Sequence, residues 1–272
     1  MTDGSYRLLS VIIPAHRKAR TIAHDIKKIA AVLEKIRYPY ELIVAIDDRE
    51  SDNTFANASK LKNKLRHLKV VGYSGHLGKG YTVRFGMAQC RGDLIAFIDS
   101  GMDLNPNGLS MCLEHFEWYN ADIVVGSKRH PASKVHYPWQ RRVLSRGYQT
   151  LVWVLFGLKI RDTQVGLKFF RRPVLEKVLP RLLVKQYAFD VEILAVANDL
   201  GFGRIFEAPV EIRQSFGGPS ELTSRKFLTN VANMFIDTLA VFYRLRVKRY
   251  YSEHNRRRWR YDPNLNFRVN IG

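Results

Sequence analysis

A chain of 272 residues, 46% of them hydrophobic, is long enough for one large α/β core and too apolar to be a disordered or low-complexity protein. Only two cysteines are present, Cys90 and Cys112, without metal-ligand spacing; this argues against a disulfide framework, and with no leader-like segment the chain reads as cytoplasmic. Lysine and arginine number 44 against 25 acidic residues, a formal charge of +19 that implies an anionic partner: nucleic acid, a phosphorylated substrate or an anionic membrane surface.

Residues 8–15 form an apolar strand that Pro14 should stop, and residues 21–36 carry Ile22, Ile26, Ile29, Ala30 and Leu33 at helical spacing. Residues 41–48 make a second strand ending in Asp47 and Asp48, followed by a lysine-rich helix over 54–65. A short strand over 68–72, a helix over 80–90 and a fourth strand over 94–98 come next. That fourth strand is apolar without alternation, as in a strand covered on both faces, and it runs into Asp99 and Asp103. Open parallel sheets bind ligands beyond the carboxyl ends of their strands, which is where these acids fall. A strand over 121–126 and helices over 142–156 and 191–200 continue the alternation, predicting a right-handed, mostly parallel βαβ sheet.

The chain then changes character. Phe227, Val231, Met234, Phe235, Thr238, Leu239 and Phe242 share one helical stripe, followed by Arg244, Arg246, Lys248, Arg249, Arg256, Arg257, Arg258 and Arg260 against a lone Glu253. This predicts a catalytic domain over 1–222 and, over 223–272, an amphipathic helix with a basic tail. The helix either packs on the domain or lies on an anionic bilayer, peripheral at its cytoplasmic face. The longest apolar run, residues 151–158, falls short of the roughly 20 residues that span a bilayer.

Asp99 and Asp103 are hard oxygen ligands suited to Mg²⁺ or Mn²⁺, although Asp, Ser, Gly and Asn are also ordinary turn residues. Asp52 caps the helix after it, whereas the Asp47–Asp48 pair needs a cationic or donor-rich partner to offset its repulsion. Gly78-Lys79-Gly80, just ahead of a helix, is either a phosphate cradle or an ordinary loop, and its spacing is not that of a Walker A motif.

Six segments in order resemble the family 2 glycosyltransferases of GT-A fold, in particular the branch that acts on polyprenyl (dolichyl) phosphates, over most of residues 8–250. They are Val11-Ile-Ile-Pro14-Ala15, Asp47-Asp48-Arg-Glu-Ser-Asp52-Asn-Thr54, Gly78-Lys79-Gly80-x-x-x-Arg84-x-Gly86, Gly126-Ser-Lys-Arg129, Asp162-Thr-Gln164-Val-Gly166-Leu-Lys168 and Phe189-Asp190-Val-Glu192. The resemblance implies an inverting hexose transfer from a GDP- or UDP-sugar to a polyprenyl phosphate, with one divalent metal. It places Pro14, Ala15, Asp47, Asp48, Gly78, Lys79, Arg84 and Ser100 around the nucleotide sugar. Asp99, Asp103 and Asn105 would hold the metal, and Asp162, Gln164 and Asp190 would lie near the transferred sugar. A phosphate monoester is already dianionic near neutral pH, so the acceptor needs cationic guidance more than a base. Arg129, Arg142 and Lys168 are the candidates for it.

Two departures stand out. His16-Arg17-Lys18 replaces the family's Tyr-Asn-Glu, and Gly101 occupies the second acid of its Asp-x-Asp. Either Asp103 and Asn105 bend to the metal, or basic residues compensate for weakened metal affinity, or transfer activity has been lost. The alternatives to lipid-phosphate transfer are a soluble or polysaccharide acceptor, or an inactive homologue serving as a nucleic-acid-binding or scaffolding protein. No nucleic acid is expected on the leading reading, and an oligomer is left open.

Overall fold

Apolar runs of five to seven residues build the strands of a central sheet, in a computed structural model that describes residues 8–135, 139–212, 225–252 and 259–270. In chain order the elements are β1 (Leu9–Ala15), α1 (Ile22–Leu33), β2 (Tyr40–Ile46), α2 (Thr54–Ser59), β3 (Leu68–Gly72), α3 (Lys79–Ala88), β4 (Leu94–Ile98), α4 (Gly108–Trp118) and β5 (Ile123–Ser127). Then come α5 (Trp139–Phe156), β6 (Leu167–Arg171), α6 (Arg172–Val178), α7 (Phe189–Asp199), β7 (Ile205–Pro209), α8 (Arg225–Phe242), β8 (Trp259–Asp262) and β9 (Phe267–Asn270).

The seven-stranded sheet has the order β3-β2-β1-β4-β6-β5-β7. It is parallel except at β6, which runs antiparallel to both β4 and β5. Its strands bury both faces. In β1, Leu9, Val11 and Ile13 enter the layer shared with Ile22, Ile26, Ile29 and Leu33 of α1, while Ile12 enters the opposite layer with Phe97, Phe170 and the wholly buried apolar residues of α7. The result is a three-layer α/β/α sandwich, as the alternation of elements implied. Pro14 does not stop β1. The ladder to β4 ends at Ile12, so the missing N–H of Pro14 costs no bond on that side, and β1 stays in register with β2 to Ala15.

Other boundaries moved. The helix expected over 54–65 is regular only through Ser59, and turns carry the chain to β3. The tail also contributes to the core: Tyr250, Tyr251 and Leu265 are buried in the same cluster as α7, and β8 and β9 form an antiparallel hairpin. Arg181 Nε donates to the Tyr251 carbonyl at 3.0 Å, and the Tyr251 hydroxyl donates to Glu192 at 2.7 Å. Helix α8 packs through Thr238 and Val241, and the π-helical turn that follows it (Tyr243–Val247) through Leu245, with Tyr148 of α5 bonded to Thr238 at 2.9 Å. The arginines at 256–258 lie outside the described residues. Among the described residues, no helix is long and apolar enough to cross a membrane.

Candidate active site

The carboxyl ends of β1, β2 and β4 and the start of β6 share one rim, because Ala15 pairs with Ile46 and Ile98 with Leu167. Asp47, Asp99 and the loop over 162–166 therefore converge there. Asp99 is bonded through its backbone N–H to the Gly166 carbonyl at 2.8 Å, and its side chain lies directly over Gly166. A Cβ at residue 166 would stand 1.8 Å from Asp99 Oδ2, so only glycine fits beneath the carboxylate.

Alternating charges run inward from Asp99. Lys79 Nζ donates to Asp99 Oδ2 at 2.8 Å and lies 3.5 Å from Asp190 Oδ2; Lys168 Nζ donates to Asp190 Oδ1 at 2.5 Å and to the Val165 carbonyl at 2.7 Å. Both ammoniums lie over the ring of Phe97. Burial opposes the charge on Lys79, but Asp190 and then Asp99 outweigh it and hold its pKa above the ordinary lysine value. At Lys168 burial wins: the pKa is lowered despite Asp190, and Lys79 adds repulsion.

Asp103 is exposed on the turn beyond Asp99, where Gly101 takes a φ of +109° and Met102 of +60°. Burial raises the Asp103 pKa, Lys18 opposes the rise, and the carboxylates of Asp99 and Asp25 add to it. Asp25 sits on the apolar face of α1, is 1% exposed, and accepts the Gly101 N–H at 2.9 Å. Sequence reasoning passed over it, although an acid between Ile22, Ile26 and Ile29 was a readable signal.

Several expected roles need correction. Lys168 is fully buried in β6 and Asp190 is 1% exposed, and they are engaged with each other and with Lys79 rather than open to a ligand; together they seat Lys79. Arg84 follows Lys79 by five residues, roughly 140° round the helix. It is buried, donates to the Leu179 carbonyl at 3.2 Å and is attracted by Glu192, away from the rim. The Gly78-Lys79-Gly80 loop offers little to a phosphate, because Gly78 N–H donates to Asp47 Oδ2 at 3.1 Å and Gly80 N–H to the Lys185 carbonyl at 2.7 Å. Asn105 turns to Glu211, with Nδ2 2.6 Å from its carboxylate, while its Oδ1 receives the Asn107 N–H at 3.1 Å.

The acidic pair of β2 finds its donor-rich partners. Asp47 is 2% exposed and receives Tyr73 Oη at 2.9 Å, Leu77 N at 2.9 Å, Gly78 N at 3.1 Å and His76 Nδ1 at 2.6 Å. The N-terminus of α3 thus holds a carboxylate of this chain rather than a ligand's phosphate. Asp48, left-handed at φ +55°, accepts the Gly75 N–H at 3.1 Å. Asp52 accepts the Thr54 N–H at 2.9 Å, the capping role expected of it. Pro14 and Ala15 are buried at the end of β1, and Ser100 is half-buried after Asp99.

Beyond the rim lies a cavity of about 780 Å³ lined by Lys128, Arg129, Arg146, Lys159, Arg161 and Trp153, among others, with no acidic residue among the described residues that line it. Asp162 joins it to the site: its carboxylate accepts the Lys128 N–H at 3.1 Å and the Gln164 N–H at 3.1 Å. Gln164 Nε2 is buried, and its side chain lies close enough to the Tyr148 hydroxyl to lower that group's pKa against the rise caused by burial. The Arg142 side chain lies outside the described residues.

Comparison with known proteins assigns this arrangement to a class. Residues 10–179 match glycosyl transferase family 2, and the chain belongs to that family. A dolichyl-phosphate beta-glucosyltransferase of Drosophila melanogaster is 31% identical over 213 residues, covering 74% of this chain and 65% of the relative. The Homo sapiens protein of the same name is 31% identical over 210 residues, covering 72% and 64%. This chain therefore spans somewhat less than two thirds of those relatives. Mannosyl-3-phosphoglycerate synthase from Rubrobacter xylanophilus superposes with a TM-score of 0.66 at 17% identity, over 93% of this chain and 77% of that one. Glucosyl-3-phosphoglycerate synthase from Mycobacterium tuberculosis, in complex with Mn²⁺, UDP and glucosyl-3-phosphoglycerate, gives 0.62 at 19%, over 87% and 79%. The fold is that of the GT-A glycosyltransferases.

Proposed function

We propose that this chain transfers a hexose, with inversion, from a nucleotide diphosphate sugar to the phosphate of a polyprenyl lipid of the dolichyl type. The observation that carries the reading is the basic cavity, which reaches the acidic rim through residues 160–166. Names of the relatives point to the same acceptor, and the UDP in a structural neighbour favours a UDP-hexose donor.

A hard divalent cation, Mg²⁺ or Mn²⁺, fits the donor set. Asp99 is 38% exposed at its side chain, and Asp103 is raised in pKa partly by Asp99 and Asp25, the repulsion that a bound cation relieves. Asp99 and Asp103 would hold it, and when bound it would neutralise the departing diphosphate. Lys79, already on Asp99, brings a fixed positive charge to the same place. Arg129, its Nη1 anchored to the Arg161 carbonyl at 2.9 Å, guides the acceptor phosphate together with Arg146 and Lys159.

Docking on an anionic bilayer accompanies this reading. Helices α5 and α8 pack together and expose Leu144, Val154, Ile236 and Leu239, with Tyr243, Arg244, Arg246 and Lys248 just beyond the end of α8. Flotation with phosphatidylserine vesicles should recover the protein, and neutral vesicles or high salt should release it.

Incubation with radiolabelled UDP-glucose and polyprenyl phosphate tests the function. Label in an organic-extractable, acid-labile product is expected; label confined to the aqueous phase would sink the proposal in favour of a soluble acceptor. Arg129→Ala should raise the KM for lipid phosphate by about 10- to 100-fold, the loss of one charge-assisted hydrogen bond, and leave donor affinity measured by calorimetry unchanged.

A further inference from the structure

We infer that His16, Asp47 and His76 form a second metal site, selective for a borderline ion of the Zn²⁺ class and separate from the hard-oxygen pair Asp99 and Asp103. His16 follows β1, Asp47 follows β2, and His76 lies on the loop before α3, so three elements bring the groups together at the parallel end of the sheet. One ligand atom from each residue falls within 4.8 Å of the other two. His76 Nδ1 is 2.6 Å and His16 Nδ1 3.9 Å from the same Asp47 oxygen, Oδ2; His16 Nδ1 is also hydrogen-bonded to the Asp47 backbone carbonyl at 3.1 Å, a bond it would exchange for the ion, and the imidazole centroids are 4.4 Å apart. These separations bracket the roughly 3.3 Å between two ligands held tetrahedrally at about 2.0–2.1 Å from Zn²⁺.

The carboxylate is fixed before any metal arrives. Tyr73 Oη and the Leu77 N–H occupy Oδ1, and the Gly78 N–H approaches Oδ2 at 3.1 Å, so Asp47 cannot swing away. The imidazoles can adjust, since His16 is half-buried and His76 exposed. On binding, the ion takes the place of the hydrogen between His76 Nδ1 and Asp47 Oδ2; the ring proton moves to Nε2, and the neutral imidazole keeps its proton count. Two imidazoles and one carboxylate are the three-ligand set of open zinc sites, with a further position left for water or a ligand oxygen. The same set is a poor match for Mg²⁺, which prefers oxygen throughout. The His16-Arg17-Lys18 segment supplies one ligand.

Titration of chelator-treated protein with Co²⁺ and Zn²⁺ tests the inference. One equivalent of Co²⁺ should give the visible d–d bands of a low-coordinate site, displaced by Zn²⁺ and untouched by excess Mg²⁺. His16→Asn and His76→Asn should each weaken Zn²⁺ binding by at least about tenfold with unchanged circular dichroism and melting temperature, while Asp99→Asn retains it. Wild-type affinity in both histidine variants, displacement of Co²⁺ by Mg²⁺, or absence of stoichiometric binding would each overturn the site.

Discussion

Asp190→Asn should lower the stability of the fold by about 3–5 kcal/mol, the cost of leaving a buried charge without its counter-ion. Lys168 is 0% exposed and would keep only neutral acceptors, the Val165 carbonyl and the new amide oxygen, while Lys79 would lose the more deeply buried of its two carboxylate partners. The substitution changes almost no volume, so a large loss can be assigned to charge rather than to a cavity. Denaturant melts measure it. Pairing Asp190→Asn with Lys168→Met should recover much of the loss, because a buried ion pair replaced by apolar atoms of similar size is often neutral. A single-variant loss under about 1 kcal/mol would mean that the Lys168 amine is carried uncharged, and the alternating chain from Asp99 inward would have to be redrawn.

Gly166→Ala should remove most of the activity while leaving a folded protein. The added methyl would lie 1.8 Å from Asp99 Oδ2, 2.1 Å from Cγ and 2.8 Å from Cβ, so the carboxylate has to leave its seat. Displacement of a reacting group by about 1 Å costs on the order of 100-fold in rate, and overpacking of this kind costs about 1–3 kcal/mol in stability. Asp99→Ala provides the reference: it should abolish metal-dependent nucleotide binding in calorimetry. Combining the two should cost little beyond Asp99→Ala alone, because the methyl then has nothing to strike. Additive losses would show that Gly166 acts through the backbone of β6 and not through Asp99.

Much of this architecture was legible because apolar runs and helical spacing report burial directly. Strands β1, β2 and β4 and the acids at their ends were read from such runs, and the order of motifs pointed to the family before any coordinates. Strand β6 escaped notice because Lys168 interrupts Leu167-Lys-Phe-Phe, and an ammonium inside a strand reads as a surface residue until Asp190, 22 positions away, is seen to neutralise it. Roles failed for the same reason. The resemblance placed Arg84 and Asp190 beside ligands and the need for a cation placed Lys168 there, but pairing across the fold is invisible along the chain, and each of them is buried. The glycines of the Gly-Lys-Gly segment suggested a phosphate cradle, whereas their N–H groups serve Asp47 and the Lys185 carbonyl. His76 drew no attention because its partners, His16 and Asp47, come from two other elements.

The reversed direction of β6 carries an evolutionary consequence. Because β6 enters the sheet at the rim, the loop that precedes it faces the chemistry, and its far end at Arg171 points to the opposite edge beside Leu94. On the proposed reading, donor-side residues follow β1, β2 and β4 and acceptor-side residues lie on 128–161, different stretches of chain, and the segment after the latter meets β4 where the Asp99 N–H reaches the Gly166 carbonyl. On that reading a lineage can exchange the acceptor by rewriting the chain between β5 and β6 while inheriting the donor half intact. Loop grafts between relatives that use different acceptors are the natural way to retarget this scaffold, provided the glycine beneath Asp99 travels with the graft.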